Sequence, residues 1–314
     1  MKIVFLGTGE IGLLSLKAIY DCPDHDLISV FTQPDKPFGR KGELKPSEIK
    51  KFALTKNIPI YQPHKIREQE AVDQLSQGNP DVLVVVAYGQ ILPKAVLEIP
   101  KIACINLHAS LLPLYRGASP IQAAILNGDK QTGLTSMYIG EGLDDGDILK
   151  SKDLIINQDE TAGSLHDRLA SLGPELIIES LNLLSMGQAP REQQDHDKAT
   201  HVFKLSRSDG EIDWNKSAKS IERKVRAFDP WPGTFTYFPD GTLVKIFPPV
   251  SIEKNHDGEP GVILSTQSDN VTVMCGDGAI SFSSIQPAGR KKMSLSSYMA
   301  GKNIKSGAFL GIKK

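Results

Sequence analysis

The chain has 314 residues, 40% hydrophobic and 23% charged, the balance of an ordinary folded protein, which excludes disordered, collagen-like and coiled-coil classes. Its 36 Lys+Arg against 37 Asp+Glu leave a net charge of −1, so no global field calls for a polyanion and nucleic-acid contacts have to come from local patches. Cys22, Cys104 and Cys275 stand far apart and make no C-x-x-C pair; with no apolar run near the ~20 residues that span a bilayer, a cytoplasmic protein without a membrane partner is expected.

Taken in chain order, the first half alternates short β-branched runs with amphipathic stretches, the pattern of β-α-β units around a mostly parallel sheet. Strands are expected at residues 3–6, 27–32, 58–61, 82–86 and 103–107, and helices at 11–20, 46–56 and 70–75, with Pro46 in a helical first turn. Gly7-Thr8-Gly9-Glu10-Ile11-Gly12 is spaced like a dinucleotide fingerprint. A nicotinamide site also wants an acid at the end of the second strand, which here reads Val30-Phe31-Thr32-Gln33-Pro34. These glycines therefore read as a tight turn and close helix packing, and a dinucleotide-dependent protein is the outside alternative. A helical pattern runs from Thr161 to about Ser185, divided at Gly173-Pro174, where a new helix can start on proline. Polar, aperiodic sequence follows, and then short alternating runs at 235–238, 243–247, 261–265, 271–274 and 279–282 that suggest a small β barrel. The expected division is a catalytic domain at 1–187, a linker at 188–207 and a C-terminal domain at 208–314.

Chemistry concentrates after the strand at 103–107. Asn106 and His108 are two apart at its end, so they project from one face, at the carboxyl end of the strand, where open α/β sheets bind ligands. The acidic loop Gly140-Glu141-Gly142-Leu143-Asp144-Asp145-Gly146-Asp147 could return a carboxylate to the histidine. Such a set suits acyl transfer to an amine: donors at Asn106 and a protonated His108 meet an oxyanion, and the imidazole relays the amine's proton. A carboxylate at Asp144 would fix the ring. Taken singly, a histidine after a strand is more often structural and an Asp in such a loop a turn former. No EF-hand or H-E-x-x-H pattern occurs, so no metal is expected.

Asn106-Leu107-His108, Ser110-Leu111-Leu112-Pro113, Tyr115-Arg116-Gly117, Pro120-Ile121-Gln122 and Gly142-Leu143-Asp144-Asp145-Gly146-Asp147 together resemble the family of formyltransferases that use 10-formyltetrahydrofolate. The resemblance runs from Lys2 to about Gly311. It implies a Rossmann-like α/β catalytic domain with an OB-like β barrel after it, and Asn106, His108 and Asp144 as the catalytic triad. Ser110, Leu111, Leu112 and Pro113 would line the tetrahydrofolate site, and Tyr88, Gly89, Gln90, Ile91 and Leu92 would form the loop that holds the pterin. Two places depart from the family's usual residues, Gly9-Glu10-Ile11-Gly12 and Leu114-Tyr115.

Members of that family act on glycinamide ribonucleotide, on amino-sugar nucleotides or on initiator methionyl-tRNA. The loop carrying Lys36, Arg40, Lys41 and Lys45 resembles the insertion by which the tRNA-acting members reach the acceptor end. Lys204-Leu205-Ser206 and Arg226-Ala227-Phe228-Asp229-Pro230-Trp231-Pro232-Gly233 resemble their C-terminal domain. There Lys216, Lys219, Arg223, Lys224, Arg226 and Arg290-Lys291-Lys292 are candidates for the tRNA backbone. A monomer that formylates methionyl-tRNA is the leading expectation, and an amino-sugar nucleotide formyltransferase is the alternative.

Overall fold

A computed structural model describes residues 1–38, 42–254, 256–266, 269–300 and 304–311. The chain forms two compact units: Met1–Pro120, Gln131–Ile155 and His166–Val202 make the first, and Ile121–Lys130, Ile156–Leu165 and Phe203–Lys314 the second. As far as Val202 the strands are β1 (Lys2–Gly7), β2 (Asp26–Phe31), β3 (Lys36–Phe38), β4 (Glu43–Lys45), β5 (Ile60–Tyr61), β6 (Val82–Val86), β7 (Ala103–His108), β8 (Arg116–Gly117), β9 (Gln131–Tyr138), β10 (Ile148–Ile155) and β11 (His201–Val202). The helices are α1 (Leu13–Asp21), α2 (Glu48–Thr55), α3 (Gln69–Gln77), α4 (Lys94–Leu97), α5 (Pro120–Asn127) and α6 (Ala162–Ser185).

Seven strands form one sheet in the order β10-β9-β7-β6-β1-β2-β5. Every pair from β7 to β5 is parallel, and β9 and β10 add an antiparallel edge. The parallel part follows from composition. β6 is Val-Leu-Val-Val-Val with all five side chains buried, a run suited to a strand covered on both faces, and each such side chain contributes roughly 1.5–3 kcal/mol. Strand order reverses between β1 and β6, so the loops after these strands lie at the topological switch point where such sheets bind ligands. Gly7 and Gly12 face this neighbour: a Cβ on Gly7 would come within 3.0 Å of the Val86 carbonyl oxygen, and one on Gly12 within 3.1 Å of Val86 Cβ.

Two expectations are corrected here. Ser47 caps α2 by accepting from Lys50 N–H at 3.1 Å, a contact generally worth about 1 kcal/mol, so Pro46 precedes the cap and is not in the first turn. Pro174 does not divide the helical segment: α6 runs through it for 24 residues. A buried stripe of Leu169, Leu176, Ile177, Leu181 and Leu184 continues at helical spacing on both sides, so tertiary packing outweighs the one bond that proline cannot donate. The stretch at 188–207 makes defined contacts of its own. Glu192 bridges Ile148, Gln194 is buried, and β11 pairs in parallel with β8.

The second unit contains α7 (Ala218–Ala227), α8 (Leu295–Met299) and the strands β12 (Thr234–Tyr237), β13 (Leu243–Ile246), β14 (Val250–Glu253), β15 (Ile263–Ser265), β16 (Val271–Met274), β17 (Ala279–Phe282), β18 (Ser284–Pro287) and β19 (Met293–Ser294). Where the sequence suggests a barrel, the strands pair as two four-stranded antiparallel sheets, β12-β13-β18-β19 and β14-β17-β16-β15. Trp214, Phe238, Phe282, Ile280 and Val273 share one core with Ile221 and Val225 of α7. Those two positions are four apart, one turn of helix, and Ser217 caps the helix by accepting from Ser220 N–H at 3.2 Å.

Candidate active site

β7 sits between β6 and β9, with Asn106 opposite Val85 on one side and Met137 on the other, and His108 opposite Thr135. Asn106 and His108 therefore share a face. The His108 ring is buried at 6% exposure. Its Nε2 lies 2.9 Å from the carbonyl oxygen of Tyr115, which can only accept, so Nε2 carries the hydrogen in that bond. Nδ1 faces Asp144 Oδ2 at 3.5 Å. Asp144 Oδ2 also accepts from the Gly117 N–H at 2.8 Å. The Asn106 amide makes no hydrogen bond among the described residues, so its donors are available to a ligand.

This cradle is conformationally demanding. Tyr115 (φ 60°), Gly117 (φ 116°) and Asp144 (φ 51°) all occupy the left-handed region, which costs a non-glycine residue of order 1–3 kcal/mol and clusters at functional sites. Gly117 is obligatory: a Cβ there would stand 2.1 Å from the Val202 carbonyl oxygen. Arg116, between the two residues that hold the pair, is buried at 5% exposure. Its guanidinium meets Gln194 Oε1 at 2.8 and 3.1 Å and His196 Nδ1 at 3.2 Å. Gln194 in turn donates to the carbonyls of Asp144 and Gly146. Gln194 escapes a reading of the sequence, since its polar, aperiodic surroundings give no signal.

The residues expected to line the folate site, apart from Gln90, divide into two groups. Leu111 and Pro113 are half-exposed, and Gly89 and Ile91 are exposed, so these four present surface to a ligand. Ser110, Leu112, Tyr88 and Leu92 are buried and support them. Ser110 Oγ donates to the Leu114 carbonyl at 2.6 Å, while Thr135 Oγ1 donates to the Ser110 carbonyl at 2.7 Å and accepts from Leu112 N–H at 3.2 Å. Tyr88 and Leu92 pack into the cluster with Phe31 and Leu75. Burial pushes the Tyr88 phenol up to about 12, and its carbonyl accepts from Gln33 Nε2 at 2.9 Å and Thr8 Oγ1 at 3.3 Å. Gln90 Oε1 accepts from Ile66 N–H at 2.7 Å.

Of the basic candidates, Lys36 and Lys45 lie directly opposite each other on β3 and β4 and are both exposed. Arg40 and Lys41 lie outside the described residues. In the second unit Lys216, Lys219, Arg290, Lys291 and Lys292 are exposed, with Lys292 Nζ 4.4 Å from the Phe247 ring centre. Three cations of α7 are used internally. Arg226 pairs with Glu222 and donates to the Glu160 carbonyl at 2.9 Å, and Arg223 donates to the Asn127 carbonyl at 2.9 Å. Lys224 donates to the Glu211 carbonyl, and desolvation lowers its pKa.

The model of the formyl transferase family matches residues 1–181, and that of the formyl transferase C-terminal domain matches residues 204–303. The chain belongs to the formyl transferase family. A relative of this formyl transferase, the methionyl-tRNA formyltransferase of Marinobacter nauticus, is 44% identical over 301 residues, covering 96% of each chain. Among solved structures, HypX from Aquifex aeolicus in complex with tetrahydrofolic acid has a TM-score of 0.63 at 18% identity, over 98% of this chain. This formyl transferase spans about half of HypX, 48% of its length. The N-formyltransferase of Helicobacter canadensis, in complex with folinic acid and dTDP-3-aminofucose, has a TM-score of 0.62 at 18% identity, over 93% of this chain and 100% of that one. At such identities the two structures share the fold.

Proposed function

We propose that this chain transfers the formyl group of 10-formyltetrahydrofolate to the α-amino group of methionine on initiator methionyl-tRNA, giving N-formylmethionyl-tRNA for translation initiation in the cytoplasm. One observation carries the choice of acceptor: the 44% identity to a methionyl-tRNA formyltransferase extends over 96% of both chains, so it includes the hairpin and the C-terminal unit as well as the catalytic strand. The sugar-nucleotide enzyme is similar at 18%. In this reading residues 1–187 form the catalytic domain, 188–207 join it to the rest, and 208–314 bind tRNA.

Attack of the amine on the formyl carbon builds an oxyanion and leaves a proton to be removed. Asn106, whose amide has no hydrogen-bond partner among the described residues, donates to that oxyanion. Asp144 orients His108 through Nδ1 and stabilises its cation. With its ring hydrogen on Nδ1, facing Asp144, and Nε2 exchanged from the Tyr115 carbonyl to the substrate amine, His108 takes the amine's proton at Nε2 and passes it to the departing tetrahydrofolate nitrogen. Such tightening on binding is common in catalytic hydrogen bonds. Gly89, Ile91, Leu111 and Pro113 offer the contact surface for tetrahydrofolate, at the switch point beside β7. Lys36 and Lys45, with Arg40 and Lys41 between them in sequence, meet acceptor-stem phosphates.

The deciding experiment offers the enzyme 10-formyltetrahydrofolate with methionylated initiator tRNA, methionylated elongator tRNA and an amino-sugar nucleotide in turn. Preference for initiator tRNA is expected. Turnover of the sugar alone overturns the acceptor and leaves the catalytic residues standing. In the same assay His108→Ala should lower kcat by ~10²–10⁴-fold with an unchanged Tm, and near-normal turnover would remove His108 from the mechanism.

A further inference from the structure

The geometry of the His108–Asp144 pair depends on a side chain that contacts neither the imidazole nor the carboxylate and lies far from both in sequence. Gln194 is 4% exposed. Its Oε1 accepts from Arg116 Nε at 3.1 Å and Nη2 at 2.8 Å, and its Nε2 donates to the carbonyls of Asp144 at 2.9 Å and Gly146 at 2.7 Å. Both donor hydrogens and both acceptor sites of the amide are thereby in use. Arg116 stands between Tyr115, whose carbonyl holds His108 Nε2, and Gly117, whose N–H holds Asp144 Oδ2. One amide thus ties the segment that grips both members of the pair to the backbone of the loop that supplies the carboxylate.

The arrangement needs such a tie. Asp144 and Tyr115 have positive φ, which the surroundings must enforce, and the separation of 3.5 Å between His108 Nδ1 and Asp144 Oδ2 is already long for a hydrogen bond, so a small retreat of the loop breaks it. We infer that Gln194 is a positioning residue for formyl transfer: it fixes Asp144 against His108 and touches no substrate. This rests on the reading of His108 and Asp144 as the catalytic pair.

Gln194→Glu separates the two sides of the tie. A carboxylate still accepts from Arg116, with a full charge opposite the guanidinium, but cannot donate to two carbonyls. Expected are a retained Tm, KM values for tRNA and folate within about twofold of wild type, and kcat lower by about 10–100-fold, the scale of a misplacement of about 1 Å. If the substitution lowers Tm, Gln194→Asn carries the same test, because it keeps the amide but is one methylene too short to reach both sides. Combining either change with Asp144→Asn should cost no more than Asp144→Asn alone, since a residue acting only through Asp144 is silent once that carboxylate is gone. Normal kcat in the Gln194 variants overturns the inference, and so does a double variant whose losses multiply. A fully active Asp144→Asn would instead sink the reading of the pair on which the inference stands.

Discussion

His25 shows how much a single buried residue can set for a chain this size. Its imidazole follows α1 and is 7% exposed, and desolvation by burial holds its pKa below the ordinary 6.5. The folded state therefore favours the neutral ring, while the unfolded chain takes up a proton at about 6.5. With the folded value depressed, this contribution to stability is fully present above pH 6.5 and is lost as pH falls from there through the folded pKa. Between about pH 7.5 and pH 5.5 the wild type should lose more in Tm than His25→Leu, which has nothing to titrate; equal losses would show that His25 is not responsible. The residues proposed for catalysis differ from His25 in legibility. Asn106 and His108 can be read because spacing of two at a strand end fixes a shared face, and Asp144 because glycines on both sides mark a loop able to fold back. Gln194 cannot be read, because its role comes from partners 78 residues away at Arg116 and 50 away at Asp144. Tyr88 is legible only as part of a loop: its ring goes to the core with Phe31, and its carbonyl accepts from Gln33 and Thr8.

At the scale of elements, the parallel sheet is legible because β6 is an unbroken apolar run and β1, β2 and β7 are short, mostly apolar runs between turn signals. β9 and β10 are not legible: β9 is buried along seven of its eight residues, so it shows no alternation, and an antiparallel edge has no β-α-β signature. Pro174 misled for the opposite reason, a strong local signal overruled by the buried stripe of α6. The β3–β4 hairpin carries the element-scale prediction. Lys36 directly opposite Lys45 is a like-charge pair that disfavours the hairpin in isolation, and a phosphate between the two would offset the repulsion. Lys36→Ala with Lys45→Ala should leave the hairpin intact, raise KM for tRNA about tenfold with kcat nearly unchanged, and reduce the slope of log affinity against log salt by ~1.4–1.8 if both meet phosphates. Unchanged tRNA kinetics would leave the two lysines as ordinary surface charge.

For the whole molecule, a net charge of −1 means that attraction to tRNA is a property of where cations stand and not of how many there are. Sequence alone leaves the candidate cations of the C-terminal unit equivalent in this respect, yet the structure sorts them by partner. Arg226, paired with Glu222 at 13% and 16% side-chain exposure and donating to Glu160, is part of the unit's framework, as is Arg223 on Asn127. Lys219 and Lys291 are exposed, where a phosphate can replace water at little cost. The two classes should respond in opposite ways. Arg226→Ala, which leaves Glu222 half-buried and without its cation, should lower stability by about 1–3 kcal/mol and leave the salt dependence of tRNA binding close to wild type. Lys219→Ala and Lys291→Ala should leave Tm unchanged, weaken tRNA binding and reduce the salt slope by about 1 for each phosphate contact removed. Salt titration of tRNA binding beside thermal melting, on the same three variants, reads both quantities at once. If Arg226→Ala flattens the salt slope at constant Tm while the lysine variants bind as wild type, α7 is the phosphate-facing surface and its internal pairs are exchanged for tRNA on binding.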